Sequence, residues 1–230
     1  MVIKEFIHFL KFESKFGPKI FLKDLISINK LYFKGYYLKK LIDFIDDKDI
    51  RVTFFFNTKG LVKRKRLIKR LVSEGHEICS HGHNHYNFKE LNKEEILRDF
   101  KASDRMFKRL NLDVKGFRPP FLCFNPEILS IAKKFNYEYI SSQLGLNQEF
   151  FYKNRIKEVG VIKPYDWQGL VLMNLKFNDI IKEWDNKKGV LLLHPWIINP
   201  YYKQLDKFIK KGKDYRICSG NKLKISFDVH

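Results

Sequence analysis

Three histidines at alternate positions, His81, His83 and His85, end the run Gly75-His76-Glu77-Ile78-Cys79-Ser80-His81-Gly82-His83-Asn84-His85. Imidazole nitrogens bind zinc and related divalent metals, and two histidines with a carboxylate leave an open position for water. A lone histidine in such a place would be an ordinary surface or core residue. Three of them directly after a strand-length segment can converge on one cation. His76 precedes that segment and reads as structural.

Three other places carry reactive groups. In Gly116-Phe117-Arg118-Pro119-Pro120-Phe121, two prolines stiffen a turn after a strand and leave Arg118 as a fixed guanidinium. Such a group is either a surface arginine or a bidentate clamp for a carboxylate. In Leu191-Leu192-Leu193-His194-Pro195-Trp196, a histidine ends a buried-type strand, which suits a satisfied core residue or an acid–base group. Pro164-Tyr165-Asp166-Trp167 adds a carboxylate able to orient a histidine and an aromatic wall beside it.

Short β-rich runs alternating with helical periods must position these groups. Strands are expected at Phe6 to Phe12, Arg51 to Phe56, Glu77 to Ser80, Val114 to Arg118, Tyr137 to Ser141, Ile156 to Val161 and Val190 to His194. Tyr36 to Asp47 has a helical period, Asn92 with Glu95 makes a capping-box start, and Asn125-Pro126 opens another helix. Asn178 is expected to cap a helix through Trp184. This alternation indicates an α/β fold with a parallel sheet. In a barrel the ends of the strands share one face, and His81, Arg118, Asp166 and His194 are expected there. No Gly-rich dinucleotide fingerprint follows the first strand. One domain over residues 1–230, with an insertion from Ser14 to Gly35, accounts for the chain.

Composition narrows the classes. The 230 residues include 44% apolar and 16% aromatic residues, enough to bury a core and exclude disorder. No apolar run approaches the roughly 18 residues that span a bilayer. Charges at Lys4, Glu5, Lys11 and Glu13 break any signal-peptide core, and three cysteines make no disulfide framework, so a cytoplasmic protein is expected. The net charge of +19 admits nucleic acid, a membrane surface or an anionic substrate as partner. The densest basic segment, Lys63 to Arg70, has helical apolar spacing, so its charges read as the wet side of an amphipathic helix.

In order and spacing, the residues from about 51 to 196 resemble the metal-dependent polysaccharide deacetylases, the family-four carbohydrate esterases. Val52-Thr53-Phe54-Phe55-Phe56 is similar to that family's Ala-Thr-Phe-Phe strand, and Gly75-His76-Glu77-Ile78 to its Gly-His-Glu-Ile. Ser80-His81 through His85 matches its His-x-x-x-His motif, whose outer histidines are metal ligands; this implies His81 and His85, and not His83. Arg118-Pro119-Pro120-Phe121 is similar to Arg-Pro-Pro-Tyr, Leu192-Leu193-His194 to the Leu-x-His of the catalytic acid, and Asp166-Trp167 to the motif that tunes the acid and lines the acetyl pocket.

The first motif departs. The family ends its first strand with Thr-Phe-Asp-Asp-Gly, a catalytic base followed by a metal ligand. The corresponding place here reads Leu10-Lys11-Phe12-Glu13-Ser14-Lys15-Phe16-Gly17. One register sets Glu13 on the base and Ser14 on the metal aspartate; the register of Asp-Thr-Glu relatives sets Lys11 on the first aspartate and keeps Glu13. Glu13 is the carboxylate that remains in both, as base or as third ligand.

The resemblance implies a deformed (β/α) barrel of about seven parallel strands. It implies a divalent metal (zinc, with cobalt or manganese as alternatives) held by His81, His85 and Glu13. Glu13, Arg118, Asp166 and His194 would be catalytic, with Phe121 and Trp167 on the substrate. The expected reaction is hydrolysis of the N-acetyl group of a sugar or of an anionic, lipid- or nucleotide-linked glycan precursor. A barrel that binds sugar or metal without turnover, and a basic nucleic-acid-binding protein, are the alternative readings.

Overall fold

The computed structural model describes residues 36–46, 48, 50–59, 61–145, 150–185, 189–211 and 224–229. The strand expected at Phe6 to Phe12, the insertion from Ser14 to Gly35, and Glu13 with its neighbours lie outside the described residues. In chain order the elements are α1 (Tyr36–Asp46), β1 (Thr53–Phe56), α2 (Lys65–Ser73), β2 (Glu77–Ser80), α3 (Lys93–Arg109), β3 (Gly116–Phe117) and α4 (Glu127–Lys134). They continue as β4 (Tyr139–Ile140), β5 (Phe150–Phe151), β6 (Lys157–Glu158), α5 (Phe177–Asp185), β7 (Val190–Leu193), α6 (Pro195–Ile198), α7 (Tyr202–Lys211) and β8 (Lys224–Val229). No described helix is long and apolar enough to cross a membrane.

Two compact units divide the described chain. The larger holds the described parts of 50–163, 187–192 and 214–230. Its sheet runs β5-β6-β4-β3-β2-β1-β8-β7. The pairs β1–β2, β1–β8, β2–β3, β3–β4 and β4–β6 are parallel, and β5–β6 is antiparallel. An isolated parallel bridge from Val161 to Val190 links the far side of this sheet back to β7, so the sheet is curled. The fold is therefore the expected α/β type, with eight described strands.

Why these segments form strands is visible in their burial. All four residues of β1, Thr-Phe-Phe-Phe, are buried, as suits a central strand covered on both faces. Phe55, Cys79, Tyr139, Val159 and Val190 form one core cluster. Phe54 stacks on Phe227 of β8 at 5.5 Å, fixing the register Phe54↔Phe227. On α3 the side chains of Ile96, Phe100 and Phe107 are buried, and Phe100 meets Phe117 at 4.6 Å. Both bonds of the Asn92–Glu95 capping box are present. The side chain of Asn125 accepts from the N–H of Glu127 and so caps α4. On α2, Ile68 and Leu71 are buried while Lys63, Arg66, Lys69 and Arg70 are exposed, the amphipathic division expected.

The smaller unit holds α1 and the described parts of 164–186 and 193–213. Leu38, Leu41, Ile42 and Ile45 of α1 are buried. Phe44 stacks on Tyr202 at 4.4 Å, and Lys48 pairs with Asp206 at 3.0 Å. Trp184 is buried and donates its indole N–H to the carbonyl of Pro164. One expectation is corrected here. Asn178 does not precede the helix; it lies in the first turn of α5, where the backbone N–H of Asp179 and of Ile180 already bond to the Lys176 carbonyl. β5 and β8 were not expected from the sequence.

Gly116 supplies a test of the core. A methyl group there would lie 2.2 Å from Cζ of Tyr139, whose hydroxyl donates to Glu77 and meets the Cys79 thiol. Gly116→Ala should destabilise the protein by about 1–3 kcal/mol through overpacking, measured by urea unfolding.

Candidate functional site

The histidine run leaves β2 and is held by the larger unit. The N–H of His81 bonds to the carbonyl of Phe56 at 2.9 Å, continuing the β1–β2 ladder, and the residue is 1% exposed. Its Nδ1 lies 2.9 Å from the carbonyl oxygen of Arg118. A carbonyl only accepts, so Nδ1 is the donor of this bond. The Nε2 of the same ring is 3.8 Å from Oδ2 of Asp228. The His85 ring centre is 5.1 Å from that of His81 and 4.7 Å from that of Phe121.

His83 is engaged elsewhere. Its Nδ1 meets the Thr58 hydroxyl at 2.9 Å, and its backbone N–H donates to Oδ1 of Asp99 at 2.7 Å. Asn84 donates its N–H to the other oxygen of the same buried carboxylate. Asp99, on α3, thus shapes the loop. Gly82 turns with a φ of +78°, and a Cβ there would meet Oδ1 of Asp99 at 3.0 Å.

Arg118 follows β3 and is fully buried, not a surface residue. Its Nη1 donates to Oδ1 of Asp228 at 2.8 Å and to the Ser226 hydroxyl at 2.9 Å. Nη2 donates to the Ser141 hydroxyl at 2.9 Å, and the guanidinium carbon lies 4.1 Å above the Phe55 ring. One expectation changes. Among the described residues the carboxylate at Arg118 is Asp228, and one nitrogen holds one of its oxygens, so that contact is not bidentate. Phe121 sits in the left-handed region at φ 58° in the turn after the two prolines, 44% exposed.

Asp228 is the residue that sequence reasoning missed. Two signals were there: Ile225-Ser226-Phe227-Asp228 alternates apolar and polar residues as a strand does, and it repeats the hydroxyl–Phe–Asp order of the first motif. The family pattern sets that motif ahead of β1 in chain order, whereas this segment follows every other described element.

The donor types around His81 suit a divalent cation: an imidazole bonded through Nδ1 to a carbonyl, a neighbouring imidazole and a carboxylate. Among the described residues no group of three or more His, Cys, Asp or Glu stands at the spacing of a metal cluster.

The smaller unit carries an acid–base pair. Asp166 heads a π-helical turn, Trp167–Leu172, instead of ending a strand. It is fully buried and accepts from the N–H of Trp167 at 2.7 Å and from the N–H of His194. Its Oδ1 lies 2.8 Å from Nδ1 of His194, which follows β7. Burial pushes the Asp166 carboxyl above its ordinary range, opposed by the His194 charge and by the hydrogen bonds of His194 and Trp167. A carboxylate at Nδ1 orients the ring and favours a proton on that nitrogen. Trp167 packs edge-on to Trp196 at 5.6 Å, and Tyr165 and Trp196 each lie 6.3 Å from the His194 ring.

Comparison with known proteins gives these features a setting. Residues 31–140 match the polysaccharide deacetylase family model. The uncharacterized protein YlxY of Bacillus subtilis is 26% identical over 179 residues, 77% of this chain and 49% of that protein. A peptidoglycan-N-acetylglucosamine deacetylase of Bacillus cereus is 27% identical over 86 residues, 37% of this chain and 31% of that protein. The chain spans about half the length or less of these curated relatives. In fold it is similar to a wild-type family-four carbohydrate esterase pseudoenzyme from Bacillus anthracis, with a TM-score of 0.60 and 18% identity over 85% of this chain and 66% of that one. It is also similar to a family 4 carbohydrate esterase from Streptomyces lividans in complex with acetate, with a TM-score of 0.57 and 18% identity over 80% of this chain and 85% of that one. Over residues 31–140 the chain matches the polysaccharide deacetylase model, and its curled α/β fold is like that of the family 4 carbohydrate esterase structure.

Proposed function

We propose that the chain is a metal-dependent deacetylase that hydrolyses the N-acetyl amide of a sugar or glycan precursor. One observation carries this reading: the His81 ring is bonded at Nδ1 to the Arg118 carbonyl, and its Nε2 lies 3.8 Å from a carboxylate that Arg118 itself holds. His81 and His85 would hold a divalent cation, zinc with cobalt or manganese as alternatives, which would supply Lewis acidity toward the acetyl carbonyl and toward water.

The chain's own residues supply the rest. A carboxylate beside His81 takes one proton of the water as its oxygen bonds to the acetyl carbon. Arg118 neutralises that carboxylate and fixes its direction. The Leu-x-His resemblance gives His194 the role of acid, and its hydrogen bond to Asp166 suits it. The C–N bond breaks as the amine nitrogen is protonated, so acetate and a free amine leave. Trp167 and Phe121 are the aromatic groups proposed to meet the substrate. The names of relatives that act on N-acetylglucosamine in peptidoglycan make that sugar the first probe.

A second reading, binding without turnover, is motivated by the altered first motif, Phe12-Glu13-Ser14. It also fits the likeness to a structure described as a pseudoenzyme.

The experiment is acetate release from N-acetylglucosamine oligomers by purified protein with saturating Zn²⁺, Co²⁺ or Mn²⁺. Release that is lost on chelation and restored by metal is expected. Metal-loaded protein that frees no acetate from N-acetylglucosamine or N-acetylgalactosamine substrates would leave the second reading. His81→Ala should lower bound metal measured by atomic emission. His194→Ala should cut kcat by roughly 10²–10⁴-fold with metal content unchanged, the signature of a proton donor.

A further inference from the structure

We propose that Asp228 is the carboxylate of this site, so that the last strand in chain order supplies what the family pattern takes from strand one. The proposal rests on the deacetylase reading and names the residue that the broken first motif left open.

Three observations point to it. The first is topology. β8 lies between β1 and β7 and pairs in parallel with β1, which carries the Thr-Phe-Phe of the family's next strand. It thus fills the place beside that strand. The second is sequence in register. Ser226, Phe227 and Asp228 follow the order Thr-Phe-Asp, and Phe227 is stacked on Phe54 of β1. The third is contact. Asp228 is bound to Arg118 at 2.8 Å and faces His81 Nε2 at 3.8 Å, as a base beside a metal-ligating imidazole must.

Strand geometry then separates the two aspartates of the motif. Side chains alternate across a strand, and Ser226 and Asp228 share the face that meets Arg118. Val229, which stands where the second aspartate would be, faces the opposite side and is buried. β8 therefore supplies the base and not the third ligand. The guanidinium supports this assignment: both N–H groups of Nη1 are occupied by Asp228 and Ser226, and its charge is already compensated.

The test compares Asp228→Asn, Asp228→Glu and Glu13→Gln in the full chain by acetate release and by titration with Co²⁺ alone. Asp228→Asn should lower acetate release by roughly 10²–10⁴-fold. It should also weaken Co²⁺ binding by about 10–100-fold or shift the visible cobalt bands, as loss of a group next to a ligand does. If Asp228→Asn keeps release and Glu13→Gln loses it, Glu13 is the carboxylate and the proposal is overturned. A wild type that binds Co²⁺ but frees no acetate sinks the deacetylase reading alone, and the cobalt titration still decides. Cobalt bands and affinity identical in wild type and Asp228→Asn overturn the proposal, as does a wild type that binds no Co²⁺. Should Asp228→Asn fail to fold by circular dichroism, Asp228→Glu decides. It keeps the charge facing Arg118 and moves the oxygens, so altered cobalt bands support the site and unaltered ones overturn it.

Discussion

A guanidinium with no exposure to water has to be compensated, and that requirement organises the larger unit. Arg118 is compensated by Asp228 and satisfied by Ser226 and Ser141, so residues after β3 and β4 and on β8 meet around one charge. Such a pair is not a source of stability in itself, because desolvation offsets most of the attraction. Removing one member is another matter: an unpartnered buried charge costs about 3–5 kcal/mol. The pair therefore acts as a registration device. Its Arg118 carbonyl orients the His81 ring, and its carboxylate stands 3.8 Å from His81 Nε2.

The smaller unit solves a different problem with the same means. Asp166 is also buried, and there the partner is a histidine with two backbone N–H groups, not an arginine. Burial raises the Asp166 carboxyl, while its donors favour the charged form. A carboxylate so placed suits the holding of one imidazole ring, whereas the partner of Arg118 lies against a guanidinium.

Much of this was legible in the sequence. The strands at Arg51 to Phe56 and Glu77 to Ser80 declared themselves through β-branched and aromatic runs, and the Asn92–Glu95 cap through its spacing. His81, Arg118 and His194 stood out because each ends an apolar strand at a turn. Two things were hidden. Asn178 looked like a cap because asparagine favours that place, but the Lys176 carbonyl had already begun the helix. Asp228 was hidden because strand pairing is not bounded by distance along the chain, whereas motif reading follows it. Spacing is informative only while consecutive elements remain neighbours.

The place of β8 also bears on how the chain reaches this state. β1 carries three consecutive phenylalanines and is flanked by β2 on one side and β8 on the other. During synthesis β2 follows it closely, but β8 comes only after every other described element has emerged. Until then one edge of an apolar strand keeps its N–H and C=O groups open to any passing chain. The ladder that closes that edge is of high contact order and slow to form. The same strand that brings the carboxylate is thus the one on which protection from aggregation waits.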